Sequence, residues 1–64
     1  MPNITGMYWT EAEPLLRAAG WAGVLDKEPN LADSGYSTNQ IAFQSPSPGH
    51  PIEPATRITL RFAD

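Results

Sequence analysis

Cysteine is absent from this chain of 64 residues. Neither a disulfide nor a thiolate metal site can therefore support its fold. The absence does not fix a compartment, because many exported bacterial proteins also lack disulfides. Histidine occurs once, as His50 in the turn Gly49-His50-Pro51. One turn imidazole reads as a solvated loop residue, and no Ser-His-Asp set can be built around it. Basic residues number four against seven acidic ones, for a net charge of −3. Nucleic acid calls for a basic footprint, so it is not an expected partner. Long apolar runs are missing too. None approaches the roughly 20 residues of a membrane span, so neither membrane insertion nor a signal peptide is expected. The five glycines are scattered, which excludes a phosphate-cradling loop. Glu11 and Glu13 lie two apart on a helix and do not face each other as an acid–base pair. They suit the electrostatics of a helix start instead. The inventory points to no catalytic residue, no cofactor and no metal.

What is present fits one small domain over residues 1–64. A chain of this length buries only about 60% of its unfolded surface, so its core is marginal. The clearest period lies in Thr10 to Trp21, T-E-A-E-P-L-L-R-A-A-G-W. Ala12, Leu15, Leu16 and Ala19 recur at helical spacing and predict one apolar face. Thr10 with Glu13 fits a capping box, and Gly20 suits a left-handed stop with Trp21 folding back onto Leu16. Arg17 lies in the last turn, where a cation meets the dipole. Pro14 favours a start at Thr10 or a distorted first turn, since an earlier start would place it deeper.

Around the helix, Met1 to Gly6 reads as an extended lead with Ile4 and Met7 as core contacts. Asn3-Ile4-Thr5 matches a glycosylation sequon, a pattern too short to carry weight. Ala22 to Leu25 has the size of a short strand. Asp26 to Asn39 reads as the longest loop. Asp26, Glu28 and Asn30 echo a calcium loop, but Leu31 and Ser37 stand where glycine and glutamate are needed. A solvated loop is the better reading. Gln40 to Gln44 predicts a strand with Ile41 and Phe43 on one face and Gln40, Ala42 and Gln44 on the other. Ser45 to Pro54 carries four prolines and must leave the sheet. Ala55 to Phe62 is the best strand, with Ile58, Leu60 and Phe62 alternating against Arg57, Thr59 and Arg61. The last two strands should pair antiparallel. The fold class is α+β, one helix packed on a small, mainly antiparallel three-stranded sheet with its far face in water. Trp21 reads as core, whereas Trp9 suits core and ligand stacking equally.

The order of parts then resembles a known family. M-P-N-I-T-G-M, E-A-E-x-L-L-R-A-A-G-W, I-A-F-Q-S-P-S-P-G and I-T-L-R-F follow the PASTA module of penicillin-binding proteins and bacterial Ser/Thr kinases. The likeness covers essentially the whole chain. Tyr8 and Thr10 at the helix start, Pro14, Asn39, and the prolines after His50 and Glu53 depart from the usual pattern. The resemblance implies a helix on a three-stranded sheet, no catalysis, and an extracytoplasmic place tethered through a parent membrane protein. It also implies association with peptidoglycan fragments, with some members proposed to interact with β-lactams.

A single copy favours a penicillin-binding protein as the parent over a kinase. The expected ligand surface is the outer sheet face of Gln40, Gln44, Arg57, Thr59 and Arg61, whose arginines suit stem-peptide carboxylates. The alternative is a spacer or docking module that positions the parent transpeptidase against neighbouring domains without binding the wall. An isolated module is expected to be a monomer.

Overall fold

A computed structural model describes all residues from Met1 to Asp64. It contains a helix α1 (Trp9–Ala18) and three strands, β1 (Leu25–Lys27), β2 (Ile41–Ser45) and β3 (Ile58–Phe62). The sheet order is β1-β3-β2. β3, the strand with the strongest alternation in sequence, is central. It pairs antiparallel with β2 and parallel with β1, so the sheet is mixed. The lead segment runs beside β2, tied by bonds between Gly6 and Ile41 and between Ile41 and Met7.

The N-cap lies two residues earlier than the Thr10–Glu13 capping pattern predicts. Tyr8 is the N-cap, and the Glu11 carboxylate accepts its backbone N–H at 3.4 Å. Tyr8 returns no side-chain bond, so half of a capping box forms, and between different partners from Thr10 and Glu13. Pro14 lies inside the helix. Its missing N–H removes one intrahelical bond, which packing of the helix must offset. The other end follows expectation. Gly20 has φ +98, the Trp21 N–H donates to Leu16 O, and the Gly20 N–H donates to Arg17 O. That is the Schellman arrangement, and it turns the Trp21 ring into the core.

The core is one layer between helix and sheet: Ile4, Ala12, Leu16, Trp21, Ile41, Ile58 and Leu60. Trp9 packs against it and meets Trp21 edge-on at 6.3 Å between ring centres. The buried helix stripe is thus Ala12 and Leu16 flanked by Trp9. Leu15 is 44% exposed and Ala19 is exposed. Successive helix residues turn by about 100°, so a narrow sheet covers Leu16 and leaves Leu15 outside.

Two strand expectations change. The first strand begins at Leu25, because Asp26 and Lys27 register beside Thr59 and Leu60. Ala22 to Val24 instead lie against the Pro54–Ile58 segment through bonds from Ala22 N to Pro54 O and Ile58 N to Val24 O. In β2 a bulge intervenes. Ile41 opposes Phe62 and Phe43 opposes Arg61, leaving Ala42 as the extra residue. One inserted residue flips everything after it to the opposite face. Ile41 and Gln44 therefore point inward, while Phe43 is 41% exposed.

His50 lies in an exposed turn, where its backbone carbonyl accepts the Met1 nitrogen at 2.6 Å. Since only its backbone is used, His50→Ala should change stability by less than about 0.5 kcal/mol in a thermal melt.

Candidate functional site

Of the five residues expected on the outer sheet face, three are brought together there. Arg57, just before β3, and Thr59 and Arg61 within it follow one another on its solvent side. Their surroundings are acidic and aromatic. Arg57 pairs with Asp26 at 3.3 Å and Arg61 with Glu28 at 3.5 Å, while Arg61 lies 5.9 Å from the Phe43 ring centre. Asp26 and Glu28 thus face arginines from β1 and its end, rather than converging as calcium ligands. Asp26, Lys27, Glu28, Phe43, Ser45 and Thr59 outline an open hollow of about 410 Å³. Exposed pairs of this kind contribute little to stability, and the arginines are already answered by carboxylates.

The two glutamines are elsewhere. Gln44 is 7% exposed and faces the lead segment. Its Oε1 accepts the Ile4 N–H at 2.7 Å, and its Nε2 donates to the carbonyls of Pro2 and Pro46. The bulge at Ala42 put it there, and it clamps the chain. Gln40 donates from Nε2 to Gly6 O and accepts the Ser37 N–H on Oε1, both within 2.7 Å. With its amide groups engaged, it too holds backbone in place.

A second concavity lies at the other edge, on the helix side of the sheet. Tyr8, Trp9, Thr10, Lys27, Asn39 and Phe62 line a cleft of about 380 Å³. Four separate segments build it. The helix start contributes two rings and a hydroxyl. β3 contributes Phe62, and the turn before β2 contributes Asn39, held in the left-handed region at φ +71. The Asn39 backbone N–H donates to Ala63 O, which fixes that turn against the end of β3. Lys27 points to this side, with its ammonium 5.5 Å from the Phe62 ring centre. No carboxylate lines the cleft.

Tyr8, Thr10, Lys27, Asn39 and Phe62 were not marked as site residues by sequence. Trp9, which in sequence suits core and ligand stacking equally, lines the cleft, and Tyr36 does not. Tyr36 packs over Gly6 instead, its ring 3.3 Å from where a Gly6 side chain would begin. The one usable signal is Tyr8-Trp9 at the helix start, two aromatics where the helix stripe needs only one.

The arrangement offers rings to stack on, a hydroxyl, an amide and a cation. It holds no nucleophile paired with a base. Its features are those of a small binding concavity.

The family model for the PASTA domain matches residues 1–64. The chain belongs to the PASTA domain family. This module is non-catalytic, and its relatives agree on the context. It is 51% identical over 63 residues, 98% of its length, to the serine/threonine-protein kinase PknB of Mycolicibacterium smegmatis. Identity to the PknB of Mycobacterium leprae is 47% over 62 residues, 97% of the chain, and to that of Mycobacterium tuberculosis 44% over the same length and share. The PASTA chain spans 10% of the length of each of these relatives. These relatives are kinases and lend no support to the expected penicillin-binding parent. One repeat taken from an array looks the same in sequence as a solitary one, so copy number could not decide the parent. No helix of this PASTA module is long and apolar enough to cross a membrane.

Proposed function

We propose that this chain is an extracytoplasmic PASTA module of a PknB-like serine/threonine kinase and that it recognises peptidoglycan fragments. The parent anchors it to the membrane, and neighbouring domains of that parent are its fixed partners. The observation that carries the binding half of this reading is the cleft walled by Tyr8, Trp9 and Phe62. One face of a pyranose ring is a layer of C–H groups, which packs on the electron-rich face of an aromatic ring. Thr10 and Asn39 at the margins suit the hydroxyl and acetamido groups of the sugar edge. The volume lies at the lower end for ligand pockets, so it fits one ring with its substituents. Affinity for a single unit is expected to be weak, and recognition of the intact wall draws on many units at once.

Co-sedimentation with purified, insoluble peptidoglycan tests the proposal. The module should be retained and should be released by soluble muropeptides. Full recovery in the supernatant would contradict recognition and leave the spacer reading, in which the module sets distance and contacts neighbouring domains.

A further inference from the structure

The chain has four basic side chains. Three have carboxylate partners: Arg17 with Glu13 at 3.6 Å, Arg57 with Asp26, and Arg61 with Glu28. Arg17 also lies over the Trp21 ring, 4.6 Å from its centre. Lys27 alone has no carboxylate within 4.0 Å. It is also the one basic residue lining the aromatic cleft. In a chain of net charge −3, acidic groups are plentiful, and Asp26 and Glu28 share the outer hollow with Lys27, yet neither comes within ion-pair distance of its ammonium. The alternation of β1 explains how. Asp26 and Glu28 turn to the outer face and meet the arginines, so Lys27 between them turns to the helix side.

We infer that the cleft selects a sugar ring carrying a carboxylate, and that Lys27 is the residue that reads the charge. This deepens the peptidoglycan reading above and rests on it. The rings of Tyr8, Trp9 and Phe62 accept the apolar face of the saccharide. Thr10 and Asn39 bond its polar edge, and the Lys27 ammonium meets the acid. An uncharged sugar keeps the stacking and loses the ion pair. A simple carboxylic acid keeps the ion pair and loses the stacking. The outer sheet face lacks this logic, since its arginines already have acidic partners.

Three saccharides separate the contributions. N-acetylmuramic acid carries its carboxylate on the ring substituent. Muramyl dipeptide carries it on the attached peptide. N-acetylglucosamine has the same ring and no acid. Each is titrated into the ¹⁵N-labelled 64-residue protein, with lactate as the ringless control. At least one of the two acids should bind about fivefold more tightly than N-acetylglucosamine, which is the worth of one solvent-exposed charge pair. Shifts should centre on Tyr8, Thr10, Lys27, Asn39 and the Trp9 indole. Lys27→Gln should abolish that preference, so that within the variant the acids bind no more tightly than N-acetylglucosamine. Which acid gains tells whether the carboxylate comes from the sugar or the peptide. Equal affinities for all three sugars, or a preference that survives Lys27→Gln, would overturn the inference. So would lactate matching the sugars. Muropeptide shifts confined to Arg57, Thr59 and Arg61 would sink it while sparing peptidoglycan recognition. Silence with every ligand, intact muropeptide included, would remove both.

Discussion

Leu16→Ala should leave the isolated module largely unfolded at about 37 °C, because truncating a buried leucine costs roughly 2–5 kcal/mol and a domain this small holds little more in reserve. Leu16 is fully buried at the middle of the single core layer, among Ala12, Trp21, Ile41, Ile58 and Leu60. Only nine residues of the chain are buried, so no second cluster can hold the helix once this contact is lost. There is no disulfide to limit the unfolded state. A thermal melt is the check. For a domain of this size each kcal/mol shifts the midpoint by roughly 4–8 °C, so the midpoint should fall by at least about 10 °C. A shift of a few degrees would mean that the helix is held by something other than its Ala12–Leu16 stripe. Leu15→Ala is the matched control, since Leu15 is 44% exposed and one step around the helix.

The second large effect belongs to a glycine. A side-chain carbon on Gly23 would lie 2.4 Å from the Thr56 carbonyl oxygen and 2.9 Å from both the Ala55 carbonyl carbon and Trp21 Nε1. Two of those three are backbone, so no side chain can swing away to make room. The same Thr56 oxygen accepts the Trp21 indole N–H at 2.7 Å. Gly23→Ala must therefore push the 54–58 segment off the 21–24 segment and break the bond that seats the Trp21 ring. Overpacking and loss of this part-buried hydrogen bond together should cost about 2–4 kcal/mol. Gly20→Ala tests a different cause. That position is open on all sides but has φ +98, so its cost is backbone strain alone, on the order of 1–2 kcal/mol. Urea denaturation should rank Gly23→Ala as the less stable of the two. The reverse order would show that the 21–24 segment yields more easily than its contacts imply.

Much of this fold was legible because its strongest signals are local. The alternation of Ile58, Leu60 and Phe62 reads as a strand wherever it lies. The Gly20-Trp21 ending and the proline run after Ser45 act within a few residues. What could not be read depends on distant partners. The bulge at Ala42 exists only relative to β3, and without it Gln44 falls on the wrong face. The parallel pairing of Leu25 to Lys27 needs knowledge of where β3 lies. Tyr8 as N-cap follows from its bridge to Gln40, not from any capping propensity of tyrosine. The cleft was hidden for the same reason. Its walls come from positions 8–10, 27, 39 and 62, and no spacing in the sequence joins them. On the outer face, charge read from sequence carries no pairing. Arg57 and Arg61 look available in sequence and lie beside Asp26 and Glu28 in space.

The central claim is that this PASTA module meets peptidoglycan fragments in the cleft between the helix start and the end of β3. Amide and indole shift mapping during titration with a soluble muropeptide tests it most directly. The account predicts progressive, saturable shifts at Tyr8, Trp9, Thr10, Lys27, Asn39 and Phe62, with Arg57 and Thr59 still. Shifts centred on Arg57, Thr59 and Arg61, or no shifts at millimolar ligand, would contradict it.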